Sequence, residues 1–437
     1  MTLGKVVKTS LCAAFLLAGF SAQIFSVDIK ANVMVRGDLM RFEKDKATGD
    51  VESGFLLNNP VLQKDNPGDG LILEVDAGLA GAHLALWYKS ATQANKGSTD
   101  YDDDDWYAYF RRTCVWFKPI DQLKIQLGYV GNDKHFKERI DEWKVGSPFA
   151  MAEREWSKHP GYINNCDAEG WGFGVEVRPI DQLVFNAAIT PGKKGSVATD
   201  PVDVNQVGMK DKASIYKKTG DEKTLIAPWG AGVIYYWRDG IEFQASFRDG
   251  GMDAQRNGTW RVVRFGAGIK NEKTYSFIQP ILGIDYIAAD EAWKLNGMCL
   301  DLYSEYYLDA WTFILHAPVT FRWSDNKDGM DRNYMEATLK AKYNTGSHGN
   351  MDDVSPYIQL GSNRDDALYD PQYRVWHLDK HFKDSFNLSY VLGVNFKIAI
   401  AEVDVGVKYD MLSDYAKTQY GKDWKFSVPF LVKIKNF

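Results

Sequence analysis

KPIDQL at residues 118–123 returns as RPIDQL at 178–183. The flanks are CVWF and KIQLGYV around the first copy, VEV and VFNAAIT around the second. On both sides of each copy every second residue is apolar, the period of a β-strand with one greasy face. Proline presets one turn dihedral, and aspartate bonds its own backbone two residues on. Each hexapeptide therefore reads as a tight hairpin turn, after which Leu123 and Leu183 restart the apolar face.

The same alternation recurs along the chain. Val27, Ile29, Ala31, Val33 and Val35 alternate with Asp28, Lys30, Asn32, Met34 and Arg36, and similar runs begin at Leu73, Ile241 and Val403. Short turns are expected at 81–82, 119–122, 179–182, 238–240, 271–273 and 308–310. The stretches 37–70, 90–105, 131–169, 191–228, 249–258, 325–333 and 363–385 read as long polar loops. Tight turns and long loops alternate, so one end of the structure carries each kind, the asymmetry of an outer-membrane barrel. Lipid offers no partner to a bare N–H or C=O, so an open sheet edge is excluded there. The expected fold is all-β: a transmembrane, antiparallel, up-and-down β-barrel of about 16–18 strands, with short periplasmic turns and long extracellular loops.

Composition agrees. Among 437 residues, 45% are hydrophobic and 14% aromatic, with 14 Trp and 23 Tyr, residues suited to a greasy–wet boundary. A formal charge of −6 argues against a nucleic-acid partner. Lys5 and Lys8 followed by the apolar run Leu11–Phe20 read as an export signal over residues 1–26, cleaved between 21 and 26. Residues 27–437 are then a single barrel. Past the signal, Cys114, Cys166 and Cys299 have no metal spacing and imply no disulfide framework. HExxH, GxSxG and CxxC are absent, so neither an enzyme nor a metal site is expected and no cofactor is implied. The HLDKH stretch at 377–381 reads as a loop rather than a ligand pair.

The closing stretch DWKFSVPFLVKIKNF places Phe426, Val428, Phe430, Val432 and Ile434 on one face and ends on Phe437. Here the chain resembles Gram-negative-type outer-membrane porins in general architecture. The resemblance implies membrane lipid around the barrel. It also implies recognition of the last strand, ending at Phe437, by the barrel-assembly machinery. Many porins are trimers, but no interface for a homo-oligomer is legible. In such porins the third external loop folds inward. Here that loop is 131–169, with constriction candidates Asp133, His135, Glu138 and Asp141, then Glu142, Glu153 and Glu155.

Period two also assigns the polar face. The pore-lining candidates are Glu74, Asp76, Lys124, Glu176 and Arg178, then Glu242, Arg248, Arg264, Asp301 and Glu305. Opposed charges in a wet pore impose a transverse field and filter solutes. Three strand entries, WGFGV at 171–175, WGAGV at 229–233 and FGAGI at 265–269, put paired glycines on this face, a bare wall that another backbone could approach. One conflict stands out. If Val115 and Phe117 face lipid, simple alternation puts Arg111 there too, at a mid-membrane cost of about 2–4 kcal/mol. A β-bulge or a place near the loop rim would relieve it. The expected function is a water-filled channel for passive diffusion of small hydrophilic solutes. The alternatives are a surface barrel that displays its loops for adhesion or structure, and an uptake channel for hydrophobic compounds.

Overall fold

The computed structural model describes residues 26–58, 70–90, 106–130, 170–193, 216–219, 222–225, 229–249, 260–287, 292–317, 319–322, 334–364, 369–370, 375–376, 386–414, 417 and 421–435. Its long elements are strands. They are β1 (Ser26–Asp45), β2 (Val51–Asn58), β3 (Gly70–Asp76), β4 (Ala80–Ser90), β5 (Trp106–Ile120), β6 (Leu123–Val130), β7 (Gly170–Ile180) and β8 (Leu183–Lys193). A small hairpin, β9 (Tyr216–Thr219) with β10 (Glu222–Leu225), precedes β11 (Trp229–Tyr236), β12 (Ile241–Asp249), β13 (Trp260–Lys270), β14 (Thr274–Ile287) and β15 (Ala292–Leu308). There follow β16 (Trp311–His316), β17 (Val319–Arg322), β18 (Tyr334–Tyr343) and β19 (Asp352–Arg364). The short pair β20 (Tyr369–Asp370) and β21 (Val375–Trp376) then leads to β22 (Phe386–Ile398), β23 (Ala401–Met411) and β24 (Lys422–Lys435).

Twenty of these strands form one antiparallel sheet whose order is circular. β1 pairs with β24 along one edge, Val33 opposite Ile434, and with β2 and β3 along the other, Arg36 opposite Asn58 and Ile29 opposite Leu73. Two positions are each shared by two strands end to end: β2 with β3 along β1, and β16 with β17 between β15 and β18. The twenty strands thus occupy eighteen positions around the circle. Among the described residues, connections at one end are short: 77–79, 121–122, 181–182, 237–240, 271–273, 309–310, 344–351 and 399–400. The strand ends at Ser90 and Trp106, Val130 and Gly170, Lys193 and Trp229, and Arg364 and Phe386 all lie at the other end.

The repeated hexapeptide does more than turn. Register shifts fall between Phe117 and Ile120 and between Val177 and Ile180, so the Lys–Pro and Arg–Pro pairs each face a single residue and put one extra residue before each turn. Proline has no amide donor for the ladder, and a bulge is where its absence is tolerated. The shift brings Ile120 opposite Leu123 and Ile180 opposite Leu183, and both isoleucines are exposed. Each tip is tied to its neighbour by one backbone bond: Arg178 N–H donates to Gln122 O at 2.7 Å, and Tyr236 N–H to Gln182 O at 2.8 Å.

Other bulges correct the sequence reading. The expected loop 37–70 is in large part strand, because β1 continues to Asp45 and β2 begins at Val51. Leu39 and Met40, adjacent and both exposed, form a bulge against β2 and β24 alike, and this extra residue breaks the period-two signal. The turn expected at 81–82 lies at Ala77–Leu79, where Gly78 has φ +78° and donates its N–H to Asp76 Oδ1 at 2.7 Å. Gly81 lies within β4 instead, where a Cβ would meet the Trp116 ring at 2.5 Å. In β5 the register moves from His83 opposite Cys114 to Ala85 opposite Arg111. That bulge puts position 111 in phase with His83 rather than with the exposed Val115 and Phe117, removing the expected conflict.

The turn between β1 and β2 is held by Asp45, whose carboxylate accepts the Ala47 amide at 2.9 Å and the Thr48 amide at 3.0 Å. The Thr48 and Ala47 amides hold the Asp45 pKa below the ordinary carboxylate value. A depressed carboxylate stabilises the fold above its unfolded pKa and loses that contribution as pH falls through the lower folded value. Hydrogen exchange at Ala47 and Thr48 is expected to lose protection over that acid range, and an unchanged protection pattern would rule the cap out. Asp45→Asn should weaken this pH dependence.

Candidate functional site

Polarity in this sheet is inverted. The face that meets least solvent carries Asn186, Glu242, Gln244, Arg264, Gln279, Asp301, Glu305, His316, Lys340, Gln359, Asp404 and Lys408. The face that meets most carries Phe173, Phe185, Phe243, Phe265, Leu339, Ile358, Leu360, Leu392 and Tyr409. Arg264 is 1% exposed while its neighbour Phe265 is 49% exposed. In water this arrangement would be costly on both faces. It suits a wall with hydrocarbon outside and polar groups inside.

On β8 and β11–β16 the polar face is a connected patch. Asn186, Gly232, Ser246 and Arg264 stand opposite one another across four strands, and a Cβ at Gly232 would meet Asn186 Oδ1 at 2.8 Å. The side chains of Asn186 and Gln279 find no hydrogen-bond partner among the described residues, although their polar atoms are buried. Gln244 Nε2 donates to Glu242 Oε1 at 2.9 Å. His316 Nε2 lies 3.1 Å from Asp301 Oδ1. Glu305 accepts the hydroxyls of Tyr303 and Tyr307. Beside it, Tyr275, Phe277, Tyr303 and Ile314 form an apolar cluster on the same face, with the Phe277 and Tyr303 rings stacked at 5.2 Å.

A second patch spans β18–β23. Tyr357 stands opposite Gly393, and its hydroxyl donates to Asp404 Oδ1 at 2.7 Å, crossing the whole of β22. The ring fills the space left by glycine: a Cβ at Gly393 would lie 2.4 Å from Tyr357 Cζ. Lys340 Nζ sits 3.6 Å from the centroid of that ring, a cation–π contact. Lys342 Nζ donates to Asn395 Oδ1 at 3.3 Å. Towards the long-connection end, Lys408 pairs with Asp410 at 3.2 Å, and Glu43 is shared by Arg41 and Lys425.

Of the expected lining residues, Glu242, Arg264, Asp301 and Glu305 are buried within this polar face. Lys124 and Glu176 are half-buried and opposite each other, with Arg178 Nη2 at 3.5 Å from Glu176 Oε1. Asp76 is exposed at a short turn. Glu74 is in β3 opposite His83, and Arg248 in β12 opposite Gly230. The loop candidates Asp133, His135, Glu138, Asp141, Glu142, Glu153 and Glu155 lie outside the described residues. So do HLDKH, Phe437 and the export segment up to residue 25. At two of these glycines the wall is covered: a Cβ at Gly174 would lie 3.4 Å from Val130, and Asn186 and Ser246 converge on Gly232. Sequence reasoning missed Trp116, Lys340, Tyr357 and Asp404, although their parity with assigned neighbours was available.

No family model matches the chain, and no curated protein does. Solved structures do match. OccAB1 of Acinetobacter baumannii is 9% identical and is covered to 97% by 94% of this chain, with a TM-score of 0.50. OccAB3 of the same organism is 9% identical, with 93% of this chain and 99% of that one covered and a TM-score of 0.47. The outer membrane protein OpdK of Pseudomonas aeruginosa is 12% identical, with 93% and 98% covered and a TM-score of 0.44. At these identities the likeness concerns the fold, and the architecture is that of an outer-membrane β-barrel of porin type.

Proposed function

We propose that the chain is a bacterial outer-membrane channel for small hydrophilic solutes, with a wall that selects among them. The eighteen positions close into a barrel, the short turns face the periplasm and the long connections face outward. Residues 1–26 act as the cleaved export signal, and the strand ending at Phe437 engages the assembly machinery. Membrane lipid covers the apolar face.

The inverted polarity is the observation that carries this reading. Its corollary sharpens the expectation of a passive channel for small hydrophilic solutes. Arg264, Gln279, Tyr303 and His316 are at most 2% exposed, whereas a wall bathed by a wide lumen would leave such groups wet. A path bounded by so many fixed donors, acceptors and charges discriminates by charge and hydrogen bonding. The pore-lining residues named above are part of this proposal.

Recording in planar bilayers tests it. Discrete ionic steps are expected, and a correctly folded but silent barrel would instead favour a display scaffold. Charge reversal at Glu176→Lys or Arg178→Glu should move the reversal potential in opposite directions. Unchanged potentials at both would take this pair out of the path.

A further inference from the structure

We propose that the short-turn mouth carries a subsite for the phosphate group of a solute, built on Trp116, Lys118 and Lys124. It deepens the channel reading, on which it rests for its use but not for its chemistry. Trp116 lies over Gly81, where a Cβ would come within 2.5 Å of the ring, so the indole is pressed against the wall of β4. Lys118 Nζ is 5.3 Å and Lys124 Nζ 4.9 Å from the indole centroid. The ring quadrupole holds both ammonium groups above one platform. Among the described residues neither lysine has a carboxylate partner. The carboxylate opposite Lys124, Glu176, is engaged by Arg178 at 3.5 Å.

Two like charges gathered on one half-buried ring repel each other, and a shared anion relieves that repulsion. Lys118, Lys124 and Arg178 outnumber the carboxylates beside them, Glu176 and Asp76, the latter opposite Gly81 in the row of Trp116 and accepting the Gly78 amide at 2.7 Å, so the group is net positive and suits an anion. The free cations are lysines, and an ammonium acts as a point charge that accepts a tetrahedral oxyanion. The planar fork that matches a carboxylate belongs to arginine, and here Nη2 of Arg178 already faces Glu176. The anion comes from a solute rather than from a lipid headgroup, because Trp116 alternates with the exposed Val115 and Phe117 and so lies on the opposite, polar face.

Inorganic phosphate titrated against the full-length protein in a phosphorus-free detergent tests the site, read by the 31P line width. Saturable broadening is expected in the unaltered protein. Lys118→Gln combined with Lys124→Gln should weaken it by about tenfold or more. Trp116→Leu should weaken it as well, since the platform is gone, whereas Lys397→Gln elsewhere on the same rim should leave it unchanged. Heat-modifiable gel mobility confirms that each variant is folded. Absence of broadening, equal broadening in the double lysine variant, or equal competition by acetate would overturn the proposal. In bilayers, phosphate added on the short-turn side should reduce chloride current more than the same concentration on the other side. Binding without any channel current would sink the channel reading and leave the subsite standing.

Discussion

Leu392→Arg is expected to remove about 2–4 kcal/mol of folding free energy, the cost of an arginine on the lipid face near the bilayer midplane. The position decides the magnitude. Leu392 is central in β22, opposite Ile358 on β19 and Val407 on β23, and all three are exposed. Leu392 is 59% exposed, and on a protein in water such a residue accepts a charge with a change within about 0.5 kcal/mol. The two environments therefore predict effects several-fold apart from the same substitution. Denaturant titration of the refolded protein in lipid vesicles measures the difference. A near-neutral Leu392→Arg would mean that this face meets water, and the membrane assignment would fail with it. Leu392→Ala serves as the control for lost packing, and the excess of the arginine variant over it is the lipid term.

How much of this was legible beforehand depends on which interactions are local. Strands and their faces follow from period two: β12 and β23 are read correctly from Ile241 and Val403 onward, and β6 from Leu123 as far as Tyr129, which is buried although alternation groups it with the exposed Leu127. The signal fails where one extra residue is inserted. Leu39–Met40 made a strand resemble a loop, and the bulge before Cys114 made Arg111 look misplaced. A bulge changes phase without changing composition, so alternation alone cannot place it. The polar face was half legible for the same reason. Glu242, Arg264, Asp301 and Glu305 carry parity with their strands, yet nothing local shows that Tyr357 reaches Asp404, 47 residues on. Nor could the sequence show that Trp116 covers Gly81, since that depends on which strand lies alongside.

The link from Tyr357 to Asp404 yields the second large effect. Tyr357→Phe keeps the ring over Gly393 and beneath Lys340 but deletes the hydroxyl donated at 2.7 Å to Asp404, which is buried. Leaving a buried acceptor without its donor costs about 1–3 kcal/mol. Gly393→Ala attacks the same link from below. Its Cβ would lie 2.4 Å from Tyr357 Cζ and 2.5 Å from the hydroxyl oxygen, so the ring must lift and the bond to Asp404 must break. If one brace joins β19 to β23 across β22, the two substitutions remove the same interaction. The double variant is then expected to be little less stable than Gly393→Ala alone, with a coupling energy of about 1 kcal/mol or more. Denaturant midpoints of the four proteins in one lipid give this cycle. Strict additivity would show that the tyrosine hydroxyl and the glycine gap act independently, and that the contact across β22 contributes nothing to the wall.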